Sequence, residues 1–255
     1  MAQKERLEQI MQIMRIDGKA VVTDLSSQFG VTPETIRRDL EKLEKNQKLT
    51  RTHGGAVLKE SGDSEKISFL KREKTNVEEK RKIAQLAAKL VPVNASIGCD
   101  ASSTALELLY ALKERSDILV LTNSAKAICE MEHSKFELLS SGGYVNRQSY
   151  SFQGGTARNM IQEYHLEQVF MGCRGIGRDG GIFDSHELEI EMKKALLEQG
   201  SRIILLADHT KFGSVGFTKL GDIRQMDIVI TDRRPSDEWM ALFEENHVEL
   251  LYEEN

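Results

Sequence analysis

Cysteine and proline are scarce in this chain of 255 residues, and each scarcity excludes something. The three cysteines, Cys99, Cys129 and Cys173, are odd in number and far apart. They supply neither a disulfide framework nor a CxxC metal clip, and a reducing, cytoplasmic setting is expected. Three prolines exclude a proline-rich spacer. Long apolar runs are also missing. Stretches such as Ile203 to Ala207 are too short to cross a bilayer and suit buried strands, so no membrane association is expected. The N-terminal Met-Ala-Gln-Lys-Glu-Arg is polar and leads into an amphipathic pattern, unlike a signal peptide. Six scattered histidines with no HxxxH pair suggest no metal site, and no cofactor motif is evident. Positive charge is lacking too: the formal net charge of -5 weighs against a nucleic-acid binder, because such binding rests on neutralising phosphates. What remains is 40% hydrophobic and 29% charged, the balance of a folded globular chain.

Residues 1–57 read as one small unit. Leu7, Ile10, Met11 and Met14 recur at i, i+3, i+4, i+7, which predicts a helix with one apolar stripe, ended by Gly18. Thr23 is expected to cap a short second helix that carries Leu25 and Phe29 and stops at Gly30. Thr32-Pro33 reads as the cap and first residue of a third helix. That helix places Ile36, Leu40 and Leu43 on one face and Arg38, Lys42 and Lys45 on the other. Leu49 to Val57 alternates around Gly54-Gly55, as a short β-hairpin would. Helix, short helix, turn, helix, hairpin is the order of a winged helix-turn-helix.

Residues 58–75 are polar and have a linker composition. Asn76 followed by Glu79 suggests a capping box opening a helix through Leu90. From about residue 95, apolar runs alternate with helical patterns through residue 255. Candidate strands lie near Ala95–Cys99, Ile118–Leu121, Phe136–Leu139, Gln168–Met171, Arg202–Ala207, Asp227–Ile230 and Val248–Leu251. This predicts a larger, mostly parallel α/β domain covered on both faces of its sheet. The charge divides with the domains. Residues 1–57 carry ten basic and eight acidic side chains, so the acidity belongs to the larger part.

In the small unit the third helix would enter the major groove of DNA. Thr32, Thr35, Arg37, Arg38 and Lys42 are its candidate contacts, with Arg51, Thr52 and His53 on the wing. Three short helices with a pair of arginines also occur in protein-interaction modules. The segments Val31-Thr-Pro-Glu-Thr-Ile-Arg-Arg-Asp-Leu40, Leu43-Glu44 and Leu49-Thr-Arg-Thr-His-Gly-Gly-Ala56 closely resemble the N-terminal signature of the DeoR family of bacterial transcription regulators. Gln47 departs from the glycine common there. The resemblance implies operator binding, usually as a repressor of sugar-catabolism genes.

In the larger domain, Gly, Ser and Thr cluster just after strands, where open α/β sheets bind ligands. Asp100, Ser102, Ser103 and Thr104 open a helix, and Thr122, Asn123 and Ser124 repeat the arrangement. Gly142-Gly143, Gly154-Gly155 and the loop from Arg174 to Gly177 follow, and Lys211 offers a point charge for a phosphate. Residues 76–231 are similar to the DeoR-family C-terminal sensor domain, which resembles ribose-5-phosphate isomerase in fold. A phosphorylated-sugar effector is the implied partner, held by Asp100, Ser102–Thr104, Thr122–Ser124 and Lys211. A sugar-phosphate isomerase with a fused regulatory domain is the alternative. Against it, Gly172 to Ile176 carries no carboxylate and no Lys-Gly-Gly-Gly-Gly run occurs. Glu187 falls near a candidate base position, but a carboxylate opening a helix also serves the dipole. No catalytic residue is assigned, and a homodimer or homotetramer is expected, since two reading heads suit a two-fold operator.

Overall fold

The computed structural model of the protein describes residues 3–17, 19–45, 49–52, 54–58 and 69–253. The chain divides into two compact units, Met1–Lys71 and Arg72–Asn255.

In the first unit, α1 (Gln3–Asp17), β1 (Lys19–Val21), α2 (Val22–Phe29), α3 (Pro33–Lys45), β2 (Leu49–Thr52) and β3 (Gly55–Leu58) follow in order. The apolar stripes meet as their spacing predicts: Ile10 and Met14 of α1 pack in one core with Leu25, Ile36, Leu40, Leu43 and Leu49. The strands form an antiparallel sheet ordered β1-β3-β2. β1 was not expected from the pattern, being three residues long. Its pairing demands glycine at 55, where a Cβ would come within 1.9 Å of the Ala20 carbonyl oxygen. The cap of α2 is also different from the expectation. The helix starts at Val22 with Val21 in the cap position, and Thr23 lies inside it with its hydroxyl on Asp24. The Thr32 expectation holds: its Oγ1 accepts from the Thr35 amide at 3.3 Å, ahead of Pro33. Gly18, Gln47 and His53 lie outside the described residues.

The second unit runs from α4 (Phe69–Glu73), which carries the division, through α5 (Val77–Ala88), β4 (Ser96–Cys99), α6 (Ser103–Leu112), β5 (Leu119–Thr122), α7 (Ala125–Glu130) and β6 (Glu137–Ser140). A hairpin, β7 (Tyr144–Asn146) and β8 (Ser151–Gln153), leads to α8 (Gly155–Gln162) and β9 (Leu166–Gly172). Then come β10 (Gly175–Ile176), β11 (Gly181–Asp184), α9 (Glu187–Gln199), β12 (Gly200–Leu206), β13 (Thr218–Asp222), β14 (Ile228–Ile230), α10 (Asp237–Glu245) and β15 (Glu249–Leu251).

Seven strands pair in parallel in the order β15-β14-β12-β9-β4-β5-β6. These are the seven apolar runs, each within two residues of its expected ends. The apolar core includes Val169, Met171, Leu205 and Val229 of the strands and Ile190, Leu196 and Phe243 of the helices. Trp239 of α10 packs edge-on against Phe212, centroids 5.2 Å apart. The chain lays β4, β5 and β6 outward, then returns to place β9 on the other side of β4. The order therefore reverses between β4 and β9, which makes the carboxyl ends of these strands the switch point where open α/β sheets bind ligands.

Two features escaped the pattern. Arg174 to Gly177, expected as a loop, contains β10, which joins β11 and β13 in a small antiparallel sheet. The β7–β8 hairpin is short and rich in polar residues, so no apolar period marks it. Among the described residues, no helix is long and apolar enough to cross a membrane.

Candidate functional site

The candidate DNA-binding face of the first unit is built from its core outward. Ile36, Leu40 and Leu43 turn inward, which leaves Arg37, Arg38 and Lys42 exposed with Thr32. Thr35 is half-buried and shares a 2.9 Å hydroxyl contact with Thr32. Glu34 sits between the two arginines, 3.3 Å from Arg37 and 3.8 Å from Arg38. Lys42 donates to Gln3 Oε1 at 2.8 Å. Arg51 is exposed on β2, and its backbone amide donates to Glu44 Oε1 at 2.9 Å, which ties the wing to α3. Asp39, unremarked in the sequence reading, is fully buried. It accepts from the Arg6 guanidinium at 2.6 Å and from Gln3 Nε2 at 2.9 Å, both on α1. This pair fixes the rotation of α3 against α1, and with it the direction of the arginines.

In the second unit the candidate effector residues line the carboxyl edge of the parallel sheet. At the switch point, Asp100 ends β4 and faces Gly172, which ends β9. The Asp100 carboxylate is buried and accepts from the Gly172 and Ser102 amides at 3.2–3.3 Å and from the Lys193 ammonium. Lys193, on α9, also donates to the Gly172 carbonyl at 2.6 Å and lies 3.3 Å from Asp184. Burial by itself would lower its pKa. The charges of Asp100 and Asp184 outweigh burial and raise it, so the ammonium stays charged. Position 172 admits only glycine, since a Cβ would lie 2.7 Å from the Ser102 side chain. Ser102 Oγ accepts from the Ala105 amide and caps α6, with Ser103 and Thr104 buried behind it.

On one side of this corner, Thr122, Asn123 and Ser124 end β5, and all three are buried. Thr122 Oγ1 accepts from the Ser124 amide, and Ser124 Oγ caps α7. Asn123 Nδ2 donates to the Phe152 carbonyl at 3.3 Å, and the Phe152 amide donates back to the Asn123 carbonyl at 2.7 Å. The β7–β8 hairpin therefore covers this loop. Asn123 Oδ1 is buried and has no hydrogen-bond partner among the described residues.

On the other side, Asp208 ends β12 and caps a 3-10 turn, His209–Lys211. Lys211 Nζ is 3.8 Å from Asp208. Neighbouring strands lie ~4.8 Å apart, so the Asp100 and Lys211 loops flank β9 at ~10 Å, while β6 and its Gly142-Gly143 are ~19 Å from Lys211. One small ligand cannot span that width. Gly142 and Gly143 turn the chain with left-handed backbones, Gly143 closely against Gln153 and Ala157. Arg174 is half-buried, with its amide on the Phe183 carbonyl. Glu187 is exposed at the first turn of α9 and is not drawn into the Asp100 corner. The Cys173 thiol is pushed up to about 12 by burial, and that of the fully buried Cys99 is also raised by burial, so neither is poised as a nucleophile.

The sequence reading missed Lys193, Asp184, Asp208 and Lys80. Lys80, on α5, is buried and donates to two backbone carbonyls, and burial pushes its pKa down to about 8. Only the unusual burial of charge in α5 and α9 could have signalled these lysines, and burial is not visible in a helix rich in Lys and Glu. Asn76 departs from the expected capping box. It occupies the cap position with a left-handed backbone, but its side chain makes no cap bond and reaches Asp208 and Thr210 instead.

Glu79, His209 and Asp232 bring donor atoms within 4.8 Å of one another, a spacing compatible with a metal ion. Arg233 already places a positive charge beside them, at 2.8 Å from Asp232 and 3.7 Å from Glu79. Two shallow grooves, over α10 and between α8 and α9, include none of the residues above.

Comparison with known proteins agrees with both halves. Residues 6–62 match a DeoR-like helix-turn-helix domain, and residues 75–233 match the DeoR C terminal sensor domain. The chain is 40% identical to the HTH-type transcriptional regulator YulB of Bacillus subtilis, covering 89% of this chain and 88% of that protein. It is 34% identical to a putative aga operon transcriptional repressor of Escherichia coli O157:H7, covering 89% and 86%. A ribose 5-phosphate isomerase from Methanocaldococcus jannaschii is similar over 54% of this chain and 55% of its own, at 18% identity and a TM-score of 0.42.

Proposed function

The chain belongs to the DeoR family of helix-turn-helix transcriptional regulators, and from that premise we propose that it represses a carbohydrate-utilisation operon under the control of a phosphorylated sugar. Residues 1–57 are the reader, and residues 76–255 sense the effector and hold the homodimer or homotetramer together in the cytoplasm. The observation that carries the reading is the exposed face of α3. Arg37 and Arg38 stand there beside Thr32, with Lys42 on the same side and Arg51 on the wing, where they serve phosphates and base edges. His53 is assigned to the wing by the sequence.

For the effector, the corner between β4 and β9 is the centre. The start of α6 with Ser102, Ser103 and Thr104 suits an anion, and Lys211 and Arg174 add charge at the rim. Asp100 has its carboxylate committed to Gly172, Ser102 and Lys193, so its role is to hold the corner in shape. Asn123 Oδ1 suits a sugar hydroxyl, which is a donor, and Thr122 and Ser124 fix that loop. Gly142, Gly143 and Glu187 are assigned no ligand contact. No turnover is expected: Asp100 is committed to two backbone amides and to Lys193, which also lies 3.3 Å from Asp184, so neither of these two carboxylates is held free as a base.

Gel shifts with the DNA upstream of the neighbouring operon test the reader. Arg38→Ala is expected to weaken specific retardation by about 1–3 kcal/mol if it contacts a base in bidentate fashion. Unchanged binding would overturn the assignment of α3. A thermal-shift screen of pentose and hexose phosphates tests the sensor, with a gain of about 2.7 kcal/mol at a hundred times the dissociation constant.

A further inference from the structure

The segment by which the chain enters the second unit, Arg72 to Asn76, is held from several directions. Asn76 Nδ2 donates to Asp208 Oδ1 at 3.2 Å and to Thr210 Oγ1 at 3.3 Å. The Lys80 ammonium donates to the Arg72 carbonyl and, at 2.6 Å, to the Thr75 carbonyl. The Arg72 guanidinium lies 3.9 Å from Glu189 on the first turn of α9. Glu73 is held separately, 3.5 Å from Lys126 of α7, and the anchors of Arg72 and Asn76 belong to the edge described above. Asp208 and Thr210 are in the turn that carries Lys211, and Glu189 is one helical turn before Lys193.

We propose that Asn76 couples effector occupancy at the Asp208–Lys211 turn to the segment that leads back to the DNA-reading unit. This rests on the reading that Lys211 faces the effector. The bistable element is the Asn76 backbone, left-handed at φ 52°, ψ 45°. Asparagine tolerates that conformation, but at a cost, which its two side-chain hydrogen bonds offset. The same acceptors are tied to the ligand side. The Thr210 hydroxyl donates to Asp208, and Lys211 lies 3.8 Å from that carboxylate. An anion that draws Lys211 and the Thr210 hydroxyl toward itself removes the arrangement that holds Asn76. Its backbone then relaxes to the right-handed form, α5 begins one residue earlier, and Thr75 shifts against Lys80. Both sites thus bias one two-state element, which is what energetic coupling requires.

Amide hydrogen exchange on the full chain, with no ligand added, tests the link directly. Thr210→Val removes the hydroxyl at nearly constant shape. It is expected to speed exchange over residues 72–80 by about tenfold or more, with β4 and β9 unchanged. Unchanged exchange over 72–80 overturns the proposal. Operator binding is then measured with and without a sugar phosphate drawn from a panel of hexose 6-phosphates and pentose 5-phosphates. Asn76→Gly permits the left-handed backbone but lacks the amide. The sugar phosphate should bind this variant at least as tightly as the wild type, because no Asn76 contact has to be displaced, while its effect on operator affinity shrinks by about fivefold or more. A full effect in Asn76→Gly also overturns the proposal. If no phosphate in the panel binds the wild type, the sugar-phosphate reading fails, and the exchange result still decides the coupling.

Discussion

Arg6 and Asp39 form a buried ion pair, Nε to Oδ2 at 2.6 Å, that joins the first helix of the reader to its recognition helix. Asp39 follows Arg37-Arg38 directly in sequence, yet it points the opposite way, into the unit. The arginines face outward because the aspartate is held inward.

Breaking that pair from one side leaves a buried charge without its partner. Arg6→Met is expected to destabilise the first unit by about 3–5 kcal/mol and to abolish operator binding without removing any DNA contact. Replacing both, Arg6→Met with Asp39→Leu, should recover much of the stability, as read from urea unfolding. Equal losses in the single and double variants would contradict the account.

Glu34 pairs with Arg37 and Arg38, the two arginines proposed to meet DNA. Both pairs are solvent-exposed, so their strength is small, about 0.2–1 kcal/mol. Glu34→Gln should tighten operator binding a few-fold and steepen its dependence on salt, because the freed arginines meet phosphates. Titrations of labelled operator at two salt concentrations check this; weaker binding by the variant would count against it.

Lys193 is the counter-charge that Asp100 and Asp184 share in the interior. Lys193→Met is expected to cost about 3–5 kcal/mol in the second unit, and adding Asp100→Asn should restore part of it. Denaturant midpoints of the single and double variants decide the matter. A midpoint unmoved by Lys193→Met would mean that the corner does not depend on its counter-charge.

Lys80 predicts a pH dependence. Its pKa falls from the ordinary 10.5 to about 8, chiefly through burial, with Asp208 opposing the fall. Between those values the folded chain binds fewer protons at this site than the unfolded chain, so the contribution of Lys80 to stability rises with pH across that window. Compared with Lys80→Met, the wild type should therefore gain in melting temperature between about pH 7.5 and about pH 9.5. A difference between the two that stays constant with pH would refute it.

Much of the fold was legible in the residues. Leu7, Ile10, Met11 and Met14 set α1, Thr32-Pro33 set the start of α3, and the seven apolar runs became the parallel sheet, because period and capping act over a few neighbouring residues. Strand β1 and the β7–β8 hairpin were not legible. Three-residue strands take their order from partners, and the hairpin's buried Ser149, Ser151 and Gln153 satisfy one another instead of following an apolar period. In the candidate site, the loops after the strands could be named in advance, but not the use of each side chain. Asn76 reads as a cap and became a strut.

By itself, then, the sequence determined the helices of the first unit, the seven parallel strands of the second and the residues on the exposed face of α3. The tertiary structure decided the pairs that give those elements their bearings. Arg6 meets Asp39 across 33 positions, Asp100 meets Lys193 across 93, and Asn76 meets Asp208 across 132. Local preferences do not reach that far. A buried charge takes whichever partner the packed chain brings beside it, because leaving it alone in a poorly polarisable interior costs more than ordering both groups.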